Sequence, residues 1–241
     1  MITFSKLGYY GKLGNQMFQY ACLFSVAKKN NYEFCIPSNN VKLERPYWYD
    51  TKFFLSEIFN ISCKYTDSIK TNHVYVDIEA DYNSEIFNIS DNTDIIGYFQ
   101  SEKYFKLYEN EIRKEFSFKN NNLVEDIKNN FPSGIPIVGM HVRRGDYLLP
   151  KILGTHGSCS IDYYISAIQH IKNILKSYIC LYVFSDDIEW CKSNLNKLNN
   201  FIVYDESPRS ESEYYSNQET SLIKMSLCDH FICANSSFSW W

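Results

Sequence analysis

Six consecutive residues, His141-Val142-Arg143-Arg144-Gly145-Asp146, hold the densest chemistry in this chain. They close an apolar run over residues 136–142 that reads as a strand, and side chains alternate along a strand. His141 and Arg143 are therefore expected on one face, with Val142 and Arg144 on the other. An arginine beside a histidine at a strand's carboxyl end suits a diphosphate. Its planar fork bonds two oxygens at once and never loses its charge. Arg144, turned away, could pair with Asp146 and hold the turn. A buried ion cluster of all three charges with only a structural role is the alternative. The Arg-Gly-Asp tripeptide inside the run is read as coincidence.

Other polar groups close apolar runs in the same way. Ser185-Asp186-Asp187, Asp205-Glu206 and Asn235-Ser236-Ser237 each follow one. In parallel sheets, ligands bind beyond the carboxyl ends of the strands, so one edge would collect the whole set. For Asp205-Glu206, ordinary strand-end polarity is explanation enough. Asn235-Ser236-Ser237 offers backbone N–H groups and short hydroxyls that favour a phosphate. Near the amino terminus, Gly11-Lys12-Leu13-Gly14-Asn15-Gln16 presents a loop and a helix start to a ligand. Leu13 after Lys12 excludes a P-loop, and no G-x-G-x-x-G occurs. No D-x-D occurs either, which disfavours a metal-bridged nucleotide-sugar site. H-E-x-x-H and G-x-S-x-G are absent, removing common metalloprotease and hydrolase readings. His73 and His170 stand alone and read as surface or core residues.

These groups need elements to position them. The chain opens as a strand at residues 1–5, a glycine-punctuated loop and a helix on which Phe18, Ala21, Cys22, Ser25 and Val26 recur at helical spacing. A strand resumes at 33–36. Signals weaken over 41–130, where 102–116 is the best helix. A polar stretch ending in Pro132-Ser133-Gly134 places a domain boundary near 132, dividing the chain into 1–132 and 133–241. Beyond it the pattern is regular: strands at 136–142, 178–184, 201–204 and 230–234 alternate with helices at 161–175, 188–195 and 219–227. Ser160 is placed to cap the first of these helices. Such alternation implies α/β architecture with parallel sheets.

Composition narrows the classes further. The 241 residues carry a net charge of −4 with no run of five like charges, so nothing points to nucleic acid or an anionic membrane. A chain of this length buries about 70–75% of its unfolded surface and needs no disulfide or metal staple. The eight cysteines form no C-x-x-C and sit mostly in apolar stretches, as reduced buried thiols do. No apolar leader and no 18-residue apolar stretch occurs, so a reducing cytoplasm is expected and the sequons at Asn60, Asn88 and Asn235 are chance matches. The 20 Tyr and 17 Phe are many, which fits carbohydrate-stacking surfaces and AT-rich codon usage equally well.

Four segments resemble motifs of glycosyltransferase family 11, the α1,2-fucosyltransferases: GKLGNQMFQYA at 11–21, HVRRGDY at 141–147, FSDD at 184–187 and ANSSFSWW at 234–241. HGSCSIDYYISAI at 156–168 is similar to a further family segment. The H-x-R-R-x-D pattern is shared more widely, with α1,6- and protein O-fucosyltransferases. The resemblance implies a variant GT-B fold of two Rossmann-like α/β domains facing a cleft. The first would take the acceptor and the second GDP-fucose, the second being expected to be cut short because family members continue past the Ser-Trp-Trp segment. It implies inverting, metal-independent transfer of fucose from GDP-fucose to a hydroxyl, O2 of a terminal galactose, on an oligosaccharide or glycolipid. The setting would be the cytoplasm or the inner face of the membrane, with no cofactor, nucleic acid or integral membrane segment. By motif position Arg143 would bind the diphosphate, His141 would lie by the nucleotide, and Ser236 and Ser237 would add phosphate contacts. Asn15 would face the reaction centre, and Gln16, Arg144, Asp186 and Asn235 join the same binding set. Asp146 and His156 are the candidates for general base. An α1,6- or protein O-fucosyltransferase, or a non-catalytic nucleotide-sugar or glycan-binding module, are the competing readings.

Overall fold

The structure is a computed structural model describing residues 1–38, 55–79, 81–196, 198, 201–206 and 214–241, with residues 152, 155, 156 and 214–217 described by backbone alone. Two compact units divide the chain, Met1–Lys119 and Asn120–Trp241. The division falls before the expected position near 132. The polar stretch after Asn120 is a helix, whose start is capped by the Asn120 side chain accepting from the Leu123 N–H at 3.1 Å.

The first unit runs β1 (Ile2–Thr3), α1 (Leu13–Asn30), β2 (Phe34–Pro37), α2 (Leu55–Ile58), β3 (Lys64–Thr66), β4 (His73–Asp77), β5 (Thr93–Gly97) and α3 (Glu109–Glu115). Its strands form one sheet in the order β3-β2-β1-β5-β4, every pair parallel. The chain leaves β1 toward β2 on one side and returns to β5 on the other. Helix α1 is buried on nearly every face from Leu13 to Ala27, with the polar Gln16, Gln19 and Ser25 buried among its apolar side chains. It stops at Asn31, which adopts the left-handed conformation (φ 55°) and sends its N–H back to Ala27 and Lys28.

The helix expected over 102–116 is broken. Two 3₁₀ turns, Glu102–Tyr104 and Lys106–Tyr108, precede α3. Phe105 between them leaves helical space (φ −137°, ψ 2°). Its ring is buried against Phe18, with centroids 5.9 Å apart. Packing of one aromatic ring overrides local helix preference here.

The second unit runs α4 (Asn121–Asn129), β6 (Ile137–Val142), α5 (Pro150–His156), α6 (Ile161–Leu175), β7 (Cys180–Ser185), α7 (Ile188–Leu195), β8 (Phe201–Tyr204), α8 (Tyr214–Ser226), β9 (His230–Ile232) and α9 (Ser237–Trp240). The sheet order is β8-β7-β6-β9, again all parallel. Every residue of β6 and β7 is buried, as parallel strands covered on both faces should be. Val138, Met140 and Val142 pack with Leu181 and Val183 against Tyr164 and Ile168 of α6. The opposite face carries a column of rings: Phe131 stacks on Tyr182 at 5.1 Å, and Tyr182 on Phe184 at 5.0 Å. Ser160 caps α6 as its sequence position predicts, accepting from the Tyr163 N–H at 3.2 Å. All eight cysteines are free thiols, five of them buried. Among the described residues no helix is long and apolar enough to cross a membrane.

Candidate active site

The strand order β7-β6-β9 puts a topological switch point between β6 and β9, where α/β sheets place their ligands. His141 and Arg143 stand at one side of that point and Asn235 to Ser237 at the other. His141 sits inside β6 and is 7% exposed, with Phe238 of α9 edge-on to its ring at 6.0 Å. Its neighbour Val142 belongs to the opposite, aliphatic core, so the alternation read from the sequence holds through the strand's last residue.

Past Val142 the chain turns sharply. The Leu148 N–H bonds the Arg144 carbonyl at 3.0 Å, and a 3₁₀ turn spans Asp146–Leu148. This turn lifts Asp146 to the Arg143 guanidinium, Nη2 to Oδ1 at 2.6 Å. Asp186, just beyond β7, meets the same guanidinium from the other side, Nη1 to Oδ2 at 2.7 Å. Tyr147 lies against it as well, its ring centre 5.4 Å from Cζ. Asp186 also accepts the Arg144 backbone N–H at 2.8 Å, so one carboxylate orients the arginine and fixes the turn. Gly145 makes that approach possible. A Cβ there would lie 2.5 Å from Asp186 Oδ2.

The suggested pairing of Arg144 with Asp146 is not what forms. Arg144 Nε bonds Asp187 Oδ2 at 3.0 Å, and its guanidinium lies 4.0 Å from the Trp190 ring centre on α7. The reason is the turn: it carries Asp146 to Arg143 at i,i+3, while Arg144 leaves on the α7 side. The two arginines therefore diverge, as strand alternation suggests, but their acidic partners are redistributed.

Asn235 is wired into the backbone rather than left open. Its Nδ2 donates to the Gly157 carbonyl at 2.8 Å, and its own carbonyl accepts from the Tyr147 hydroxyl at 3.3 Å. It thereby joins the β9 end, the turn carrying Arg143 and the segment before α6. Ser236 caps α9, accepting from the Phe238 N–H at 3.4 Å, and Ser237 is that helix's first residue. The His156 side chain lies outside the described residues. Asp205, 5% exposed, is held by Lys224 at 2.6 Å and by the Ser221 hydroxyl at 2.7 Å, in keeping with a structural role for that pair of acids.

Asn15 and Gln16 belong to the first unit. Asn15 Nδ2 donates to the Tyr10 carbonyl at 2.9 Å, and Gln16 is fully buried in α1. The sequence reading gave no individual role to Tyr147, Asp187, Trp190 or Phe238, although three of them lie inside motifs it singled out and Trp190 lies three residues beyond one; for the three aromatic residues, aromatic character near a charged motif was the available signal. It also missed Gln19, which lies four residues after Asn15 and so on the same helix face.

Two parallel α/β units, the second with arginines and hydroxyl groups at its switch point, define the class of a two-unit α/β protein. The sequence pattern of glycosyl transferase family 11 matches residues 4–241, and the chain belongs to that family. An alpha-1,2-colitosyltransferase of Escherichia coli is 30% identical, the match covering 96% of this chain and 83% of that protein. The galactoside 2-alpha-L-fucosyltransferase SEC1 of Bos taurus is 25% identical over 96% of this chain and 61% of its own length. In fold, the chain is similar to the NodZ alpha-1,6-fucosyltransferase, in a crystal soaked with GDP-fucose. The TM-score is 0.61 at 14% identity, over 99% of this chain and 90% of that one. POFUT1 in complex with GDP-fucose gives a TM-score of 0.58 at 12% identity, covering 99% and 92%. The protein is a glycosyltransferase with the α/β, GT-B-like architecture of these structures.

Proposed function

We propose that the protein transfers fucose from GDP-fucose to O2 of a terminal galactose, inverting the anomeric centre and using no metal. The observation carrying this reading is the Arg143 guanidinium at the β6–β9 switch point, held between Asp146 and Asp186. The second unit would bind the donor and the first the acceptor. Asp146 accepts one of the five guanidinium N–H donors and Asp186 pairs with the charge from the other side, which orients the fork while other donors serve an incoming diphosphate. As the glycosidic bond breaks, negative charge grows on the departing nucleotide. A preorganised cation meeting that charge contributes about 10²–10³ in rate per donor. Ser236 and Ser237 supply further donors, and His141 lies by the nucleotide. Arg144 completes the donor set from its place on Trp190; in the first unit Asn15 would serve the acceptor, while Gln16, fully buried, offers a ligand no exposed atom. Asp146 and His156 are the base candidates, and Asp146 also positions Arg143.

The α1,2 linkage is supported by relatives that match 96% of the chain in sequence, whereas the α1,6 and POFUT1 structures share the fold at 14% and 12% identity. A second reading, colitosyl transfer, is favoured by the 30%-identical relative of that name. Incubation with GDP-fucose and lactose should release free GDP and yield a fucosylated trisaccharide. Release only with a colitose donor would favour the second reading. No release with either would leave a binding module.

A further inference from the structure

We propose that β4 is the contact surface for a second copy of this chain, the β4 edges of two copies pairing antiparallel across a two-fold axis through Tyr75. The inference stands apart from the proposed transfer, because that reaction uses no residue of this edge.

The sheet order β3-β2-β1-β5-β4 leaves β4 at an end, and among the described residues no strand pairs with its outer edge. The His73 N–H donates to the Asn92 carbonyl at 3.3 Å, so the ladder to β5 takes the backbone groups of His73, Tyr75 and Asp77. By alternation, the N–H and C=O groups of Val74, Val76 and Ile78 point to the open edge. Side chains alternate as well. Tyr75 is half-buried and Asp77 is buried, whereas Val74, Val76 and Ile78 are 61%, 59% and 56% exposed. Sheet edges are ordinarily kept short, or guarded by lysine, proline or a bulge. At the other end of this sheet β3 has three residues and begins with Lys64. β4 has five residues and contains no lysine, arginine or proline. An apolar edge left unguarded in this way is a template for another strand.

The symmetry of the sequence selects a second copy as that strand. In His73-Val74-Tyr75-Val76-Asp77 the two valines stand at equal distances from Tyr75. Antiparallel pairing about Tyr75 sets Val74 opposite the partner's Val76, and Val76 opposite the partner's Val74. These are the residues whose backbone groups face the edge, so each pair can exchange two hydrogen bonds. Both valine pairs fall on the same face, where β-branched cross-strand pairs stabilise a sheet. Charge runs the same way. The chain enters β4 past exposed Lys70 and leaves it past exposed Glu79 and Asp81. An antiparallel partner brings Lys70 of each copy to the acidic end of the other, while a parallel partner would set like beside like. Such self-complementarity is what a two-fold contact needs. All strands of the first sheet run parallel, so the carboxyl edges of the two copies point in opposite directions and the pairing covers neither.

Sedimentation of the full chain tests the contact. One pair of edges is a small interface, so the dimer should form and dissociate within about 1–200 µM. Val76→Lys, which puts a charge against the partner's Val74, should weaken it about tenfold or more. Lys70→Glu turns attraction into repulsion at both ends and should weaken it about fivefold. Adding Glu79→Lys and Asp81→Lys to Lys70→Glu should restore the wild-type equilibrium. Thermal melts check that each variant is folded. Lys70, Glu79 and Asp81 are exposed, so the charge reversals read the contact even if Val76→Lys unfolds. A wild type that stays monomeric throughout overturns the inference and leaves the edge to a strand of another protein. A dimer unchanged by Lys70→Glu and by folded Val76→Lys lies on another surface and overturns it too. So does a triple variant that stays as weak as Lys70→Glu, because only antiparallel pairing predicts the rescue.

Discussion

Arg143 and Arg144 are chemically identical neighbours whose surroundings give them different work. Arg143 is gripped by Asp146 and Asp186 at the switch point, while Arg144 pairs with Asp187 and lies on Trp190. Arg143→Ala should therefore lose about 1.5–3 kcal/mol of GDP affinity, the scale of a charge-assisted contact. Turnover should fall further, because leaving-group charge peaks at the transition state. Arg143→Lys should fail nearly as badly, since an ammonium cannot span both carboxylates and a diphosphate. Arg144→Ala should lower stability, and with it the melting temperature, through loss of Asp187 and Trp190, by about 1 kcal/mol for a partly exposed pair and its ring contact. Calorimetry with GDP, initial rates and thermal melts on the three variants separate these outcomes. Normal GDP binding by Arg143→Ala would reverse the assignment.

At the scale of elements, the end of β1 is fastened to β5 by one buried acid. Asp94 accepts from the Ser5 N–H at 2.8 Å and the Ser5 hydroxyl at 2.5 Å. Burial raises its carboxyl pKa above the ordinary range, and the two Ser5 bonds only partly offset this. The folded state thus holds the proton more tightly than the unfolded one. Its contribution is present below the ordinary carboxylate value and is lost as pH rises through the raised folded value. Asp94→Asn removes that term while keeping an acceptor for Ser5. The stability of wild type relative to the variant should fall as pH rises above the ordinary carboxylate value of about 4, read from urea midpoints. A difference independent of pH would show that Asp94 does not titrate abnormally. Elements of the second unit were legible in sequence because β6 and β7 are unbroken apolar runs and Ser160 is a strong cap. In the first unit β3, β4 and β5 are short strands that pair with partners far along the chain, and such pairing leaves little local trace.

For the whole molecule, the proposal assigns to side chains the charge neutralisation that other nucleotide-sugar enzymes give to a metal. No D-x-D occurs anywhere in the chain, and Arg143 occupies the switch point of the second sheet. Transfer measured in excess EDTA should equal transfer with added Mg²⁺, and a collapse on chelation would require a divalent ion in the donor complex. The net charge of −4 makes the same point from the other side: an anionic donor must be met by a few local cations.

By itself the sequence determined the parallel α/β class, the alternation of β6 to β9 with helices α6, α7 and α8, the divergence of the two arginines and the motifs that mark the family, but not the short helices α5 and α9. Those properties are local: period, run length, a capping serine, alternation along one strand. Only the tertiary structure decided which acid serves which arginine, because a three-residue turn moves Asp146 from one to the other. It also decided that residues 102–116 break at Phe105, where burial against Phe18 outweighs helix preference. And it joined Asn15 to Gln100, 85 residues away, through the adjacency of β1 and β5. Contacts of that kind depend on which strands become neighbours, and strand order is settled by the packing of a whole sheet rather than by any window of residues.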